Sequence, residues 1–340
     1  MTLTAEEYKI DNLQAKIGIV LYHGIDGGAE LRHYGRIAEE NGFDSLWVTE
    51  RYFHEETFSL LGFLAASTQK LALGLGVTNP YTRHPALLAM ASATLDRISG
   101  GRFLLGLGRS EKWVIEGRMG IDYERPLANL EQVVPLLRQL LAGERTSSAR
   151  LDNVRLAITP ARAHLPIYLA AIGPKALRLA GRVADGVLLN AYVPTRYIEY
   201  AVGEIRAAAR EAGRDPMAID IACMLVVRMT DHPEAMMPAL KERLVRLLAE
   251  PHVGELLLEK GGFDPGILPP LRGLAEKSGE KSATHLITKS MVESFYVVGN
   301  AAHCQERIAA YRNAGVDHPL LLPRLEDFEA VAQSIGGSRS

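Results

Sequence analysis

The chain has 340 residues, of which 47% are hydrophobic and 23% charged, a composition that excludes a disordered or collagenous chain and fits two modest domains or one large α/β barrel. Lysine plus arginine (38) against aspartate plus glutamate (40) leaves a formal charge of −2, which argues against nucleic acid as a partner because no net field gathers polyanions. The two cysteines, Cys223 and Cys304, are too few for a thiolate cluster, so no metal is expected, and they suit a reducing cytoplasm as small buried hydrophobes.

The first segment, MTLTAEEYKIDNLQ, carries acidic residues and lacks an apolar core, unlike a signal or transit peptide. No apolar stretch approaches the ~20 residues that a bilayer crossing requires, so no membrane partner is expected. Short runs rich in Val, Ile and Leu then alternate with longer amphipathic segments, the pattern of parallel strands covered by helices. Strands are predicted at Lys16–Tyr22, Ser45–Thr49, Leu71–Val77, Arg102–Gly108, Pro166–Ala171, Gly186–Asn190, Ile219–Arg228 and Pro319–Leu322. Between the first two, Leu31, Tyr34, Ile37 and Ala38 share a helical face that Gly42 terminates. After the third, Pro85 opens a helix with Leu88, Ala91 and Leu95 inward, and Gly100–Gly101 ends it.

Eight such units predict one α/β domain over residues 1–340, a single eight-stranded TIM-type (β/α) barrel. One interval exceeds a minimal barrel: about 250–292, between strands seven and eight, carries the breakers GGFDPG and LPP between short helical pieces. An insertion there follows a strand's C-terminal end, which places it over the catalytic face as a lid or makes it a structural excursion.

Two glycine-rich strand ends, LGLGVTNP and LLGLGRSE, lack the third glycine of a dinucleotide fingerprint. In AAIGPKALRLAGRVADGVLLN a strand ends at Gly173–Pro174 and a helix starts at once, presenting free N–H groups and a positive dipole end to an anion.

The runs TNPYTRHP and ATLDRISGGR, with GFDSLWVTE, AAIGPK and ADGVLLN around them, carry a strong resemblance to the luciferase-like monooxygenase superfamily over roughly the first 230 residues. The resemblance is strongest to its deazaflavin (coenzyme F420)-dependent oxidoreductase branch, typified by methylenetetrahydromethanopterin reductase. It implies a barrel that lays a flat ring across its C-terminal mouth, backed by a bulged third strand with a non-prolyl cis peptide at Gly76–Val77. By the same match Thr78 and Asn79 approach the ring or its side chain, and Ala171, Ile172, Gly173 and Pro174 approach the phosphate. It further implies hydride transfer to or from a small organic substrate and a homodimer. Two departures stand out. Val20 occupies the position of a first-strand glutamate thought to act at the pterin, which speaks against that particular substrate. Glu50–Arg51 replaces the acid–histidine pair of many deazaflavin relatives and occurs in some that use ordinary flavin, which keeps an FMN-dependent monooxygenase as the alternative, with a non-catalytic flavin-binding barrel as a third reading.

Hydride transfer needs one group to manage a proton. His23, Glu50 and Glu111 follow the first, second and fourth strands and should face the mouth; Glu111 also matches an acid of deazaflavin-dependent sugar dehydrogenases. Arg51 stays protonated and suits a carboxylate or phosphate clamp on a substrate, to which Trp113 is also assigned. Gly106 and Gly108 are expected to open the mouth to the ring.

Overall fold

The computed structural model describes residues 16–336, so the N-terminal MTLTAEEYKIDNLQ segment lies outside the described residues. Eight parallel strands alternate with helices: β1 (Gly18–Leu21), β2 (Ser45–Val48), β3 (Ala72–Thr78), β4 (Phe103–Leu107), β5 (Ile167–Ala171), β6 (Gly186–Leu189), β7 (Asp220–Met229) and β8 (His318–Leu322). Each pairs with the next, and β8 pairs back onto β1 with Leu320 opposite Gly18, so the sheet closes into a barrel. Closure leaves none of these eight strands as a sheet edge, and buried residues run the full length of β1, β2, β4 and β6.

The helix signals act as anticipated. Leu31, Tyr34, Ile37 and Ala38 bury the inner face of helix Gly28–Glu40. Asn41 donates to the Ile37 carbonyl, and Gly42 turns the chain with φ 73°. Helix Pro85–Ile98 buries Leu88 and Leu95, while Ala91 is only half-buried. Its Asp96 is fully buried and meets the Arg162 guanidinium at 2.6 Å, which pins the long excursion between β4 and β5 to the barrel wall.

Two features were not anticipated: a two-residue hairpin pairs Ser147–Ser148 with Leu151–Asp152, and a short strand, Val297–Gly299, pairs parallel to the C-terminal end of β7. The 250–292 segment is almost wholly helical, with Val253–Gly261, Leu268–Ser278 and Lys289–Phe295 joined by short 3-10 turns. The GGFDPG breaker serves as a helix stop rather than a loop: Gly262 takes φ 82°, and the Asp264 carboxylate accepts from Gly266 N–H to start the next turn.

Inside the barrel, bulky side chains lie across glycines of neighbouring strands. The Trp47 indole occupies the space a Cβ on Gly74 would need, with ring carbons 2.1–2.4 Å from that position. The β3–β4 register shifts between Leu75 and Thr78, a bulge, and the Gly76–Val77 peptide within it is cis. Gly106 and Gly108 make room for this bulge. A Cβ on Gly106 would lie 2.0 Å from the Leu75 carbonyl oxygen, and one on Gly108 would lie 2.6 Å from a Val77 methyl. The expectation that these glycines open the mouth is corrected for Gly106, whose missing side chain is filled by the third strand, while Gly108 also lines the mouth.

Gly106→Ala should thus lower the unfolding free energy by about 3 kcal/mol or more, since backbone stands in the way and no rotamer relieves it. Chemical denaturation at equilibrium checks this, with Gly203→Ala, where a Cβ meets nothing within 4 Å, as the tolerant control.

Candidate functional site

A cavity of about 930 Å³ opens at the C-terminal mouth. Its floor is Gly76 and Val77 of β3, Gly108 beyond β4, and Leu188 and Met224 of β6 and β7; its flank is Ala171, Ile172, Gly173 and Pro174. Two segments separated by about a hundred residues are thereby brought onto one surface, as the resemblance implied. Pro251, His252, Val253 and Leu256 complete the wall from the segment after β7.

The flank has the chemistry of an anion cradle. Gly173 caps helix Pro174–Val183 without a side-chain hydrogen bond, and Pro174 has no N–H. Lys175 and Ala176 N–H groups therefore lack helical acceptors, and the Lys175 side chain adds a positive charge beside them on the cavity wall. Nothing lies within 4 Å of the position a Gly173 Cβ would take, so the approach is clear.

Thr78 and Asn79, expected beside the ring, are buried and do not line the cavity. Asn79 builds the turn instead: its side-chain oxygen accepts from Tyr81 and Thr82 N–H at 2.9 and 3.0 Å. Its amide nitrogen donates to the Tyr52 hydroxyl at 2.6 Å, and Tyr52 lies 2.7 Å from Ser110 Oγ, which reaches the cavity. Burial pushes the Tyr52 phenol up to about 12, so it remains a neutral hydrogen-bonding group at working pH. Sequence reasoning missed this Tyr52 bridge between the second and fourth strand ends, because no local motif marks it.

The candidate proton-handling residues all sit beyond C-terminal strand ends but in different settings. Glu111 lines the cavity, is exposed, and accepts the Trp113 indole N–H at 2.8 Å. Arg109 does not hold it; that guanidinium donates to the Tyr123 hydroxyl at 3.2 Å. Trp113 is 60% exposed on the rim. Glu50 is the opposite case: its side chain is 10% exposed, Arg83 stands 3.6 Å away, and Arg83 hydrogen-bonds Glu56 instead. Glu50 Oε2 and the neighbouring Thr78 hydroxyl are both buried without a hydrogen-bond partner. Burial raises the Glu50 pKa above the usual carboxylate range, with Arg83 opposing. His23 stacks on His54 with centroids 4.3 Å apart, and burial, His54 and Arg51 hold its pKa below the ordinary value, so the imidazole is neutral at neutral pH. Arg51 is exposed, hydrogen-bonds the Tyr22 hydroxyl and lies over that ring. Val20 is buried and apolar, so β1 offers no acid at that position.

The mouth therefore offers a dry floor, an anion cradle on one flank and two carboxyl groups in contrasting environments. Among the described residues no cluster of three or more His, Cys, Asp or Glu side chains suits a metal, and no helix is long and apolar enough to cross a membrane.

Comparison with known proteins agrees with this geometry. The sequence profile described as luciferase-like monooxygenase matches residues 13–318. The chain is 36% identical over 293 residues to a 5,10-methylenetetrahydromethanopterin reductase of Methanolobus tindarius, covering 84% of this chain and 88% of that one. It is 30% identical to a putative coenzyme F420-dependent oxidoreductase of Mycobacterium tuberculosis, covering 82% and 86% of the two chains. The solved structure of the coenzyme F420-dependent tetrahydromethanopterin reductase of Methanopyrus kandleri superposes with a TM-score of 0.79 at 28% identity, covering 95% of this chain and 97% of that one.

The raised pKa of Glu50 carries a sign. Between the ordinary carboxylate range and its raised value the folded state holds the proton more tightly than the unfolded chain, so stability falls as pH rises through that window. Glu50→Gln should flatten this segment of the stability curve, and an infrared carboxyl band titrating above the usual range should disappear in the same variant.

Proposed function

We propose that this chain, which belongs to the luciferase-like monooxygenase family, is a coenzyme F420-dependent oxidoreductase that moves a hydride between the deazaflavin and a small organic substrate. The observation that carries the reading is the single cavity lined by Gly76–Val77 from β3 and by Ala171–Pro174 from β5. Coenzyme F420, when bound, supplies the hydride chemistry at its ring. The chain supplies the rest. The Val77 side chain and the Gly76–Val77 backbone provide an apolar floor for a planar ring, and Ile172 and Leu256 help exclude water. The unsatisfied amides of Lys175 and Ala176, with the Lys175 ammonium, hold the cofactor's phosphate.

Glu111 is the group we assign to exchange a proton with the substrate, because it reaches the cavity and the Trp113 indole orients one of its oxygens. Glu50, buried and biased toward its neutral form, is the second acid at the mouth, and His23 the third candidate. Buried Val20 in place of an acid separates the substrate from a methylene-tetrahydropterin. A homodimer fits the same reading. Helix Pro85–Ile98 exposes Leu87, Met90 and Ile98 on one face, an apolar stripe that a second copy would cover, and sedimentation velocity is the check.

Calorimetric titration should show coenzyme F420 binding at micromolar level or tighter and FMN at least tenfold weaker, a difference of about 1.4 kcal/mol. The reverse order would place the protein with the FMN-dependent monooxygenases. Glu111→Gln should cut turnover by ~100-fold while leaving cofactor affinity nearly unchanged. Unchanged turnover would pass the role to Glu50 or His23, and lost cofactor affinity would make Glu111 a support for the ring.

A further inference from the structure

The cavity described above occupies the mouth over β3 to β7, and the adjoining side, around the ends of β1, β2, β7 and β8, has a different character. Two guanidinium groups approach from separate elements. Arg51, just beyond β2, lies 5.1 Å from the Tyr22 ring centroid and donates to the Tyr22 hydroxyl. Arg243, on helix Pro233–Ala249, lies 5.8 Å from the Tyr192 ring centroid and is within electrostatic reach of Tyr22 and Tyr296 as well. A third, Arg228 at the end of β7, donates to the Val227 and Leu322 carbonyls and is within electrostatic reach of both Tyr192 and Tyr296.

No carboxylate of the described residues lies within ion-pair distance of any of the three. The nearby acids are already engaged. Glu55 accepts from the backbone N–H groups of Gly24 and Ile25 at 3.1 and 2.8 Å, and Glu326 and Asp327 pair with Arg324. His23 and His54, stacked at the same rim, add no negative charge. Tyr22 accepts from Arg51 and main-chain carbonyls accept from Arg228, while Asp327 reaches Arg228 only electrostatically and pairs with Arg324, so among the described residues no carboxylate occupies the donors of these three forks.

Tyr192 shows that this arrangement is held in place. It has φ 63°, a left-handed backbone that a non-glycine residue adopts at a cost, and its ring packs edge-on against Tyr296 at 5.2 Å. That conformation sets the ring beneath Arg243, two residues after Asn190, which lines the cofactor cavity. The two halves of the mouth thus adjoin at the end of β6.

We propose that this half of the mouth binds a substrate bearing an oxyanion, a carboxylate or a phosphate, held between Arg51 and Arg243 with Arg228 beneath. The proposal rests on the oxidoreductase reading, since it places the substrate's charged end on the arginine side and its reacting carbon toward Gly76–Val77 and Glu111. Two forks from different elements, each with open donors, match the geometry of a planar or tetrahedral oxyanion. They also discriminate: a neutral analogue would leave the guanidinium donors unpaired on closing off water.

The test is titration calorimetry at constant ionic strength with inorganic phosphate and, separately, with succinate, on protein saturated with coenzyme F420 and again on cofactor-free protein. Saturable binding of at least one anion to the loaded protein is expected, weakened tenfold or more in the double variant Arg51→Met/Arg243→Met, whose thermal midpoint and coenzyme F420 affinity stay at the parent values. Binding of phosphate alone would mark a phosphate ester as the substrate class, and of succinate alone a carboxylic acid. Equal affinity in parent and double variant, or no binding of either anion to the loaded parent, overturns the proposal. So does loss of coenzyme F420 affinity in the double variant, which would give the arginines to the cofactor. Failure of the parent to load with coenzyme F420 counts against the cofactor assignment alone, and the cofactor-free titrations still compare the arginines.

Discussion

The Leu75 carbonyl oxygen sits 2.0 Å from where any Cβ on residue 106 would have to be, and this approach of the third strand to the fourth shapes the whole mouth. Because Gly106 and Gly108 yield their space, Val77 packs into the fourth strand and the third strand shifts register by its bulge. The shift turns Gly76 and Val77 to the cavity, and it buries Thr78 and Asn79. Asn79, so placed, is free to cap its own turn and to hold Tyr52, which reaches Ser110 at the end of the fourth strand. A contact between two backbones thus sets which side chains a ligand meets.

The second organising element is the partition of charge around the opening. Positively polarised groups lie on two flanks: amides and Lys175 at the start of helix Pro174–Val183, and the guanidinium groups of Arg51, beyond the second strand, and Arg243, on helix Pro233–Ala249. Between them stand two carboxyl groups treated in opposite ways. Glu111 keeps its solvent and is oriented by an indole donor; Glu50 has lost its solvent, and its basic neighbour Arg83 is drawn aside by Glu56. Burial without a full counter-charge favours the neutral acid at Glu50.

The order of strands and helices was legible in the chain because its signals are local. Apolar runs of four to seven residues, Gly42 after a buried stripe, and Pro85 before another each depend on neighbours a few positions away. The cavity-lining segments were legible for a different reason: TNPYTRHP and AAIGPK carry a family resemblance, and Gly76–Val77 and Ala171–Pro174 line one cavity. Asn79 instead builds the turn that an Asn-Pro dipeptide favours on its own, a local property to which the resemblance does not speak.

What local pattern cannot carry is which distant groups meet, and there the tertiary structure decided. Gly106 read as space for a ligand until the third strand proved to fill it. Short helical pieces were legible in 250–292, but not that GGFDPG ends one helix and restarts the next, since a glycine with positive φ and an aspartate cap do this as readily as they form loops. Arg51, Arg228 and Arg243 are unremarkable in their own segments, and barrel closure brings them to one rim. The pKa of Glu50 follows from Arg83 turning to Glu56 and from the water excluded around Thr78, neither of which a strand-end glutamate announces. Burial and charge depend on everything that folds against a residue, so the chain's local order specified the scaffold and the positions, and packing set their chemistry.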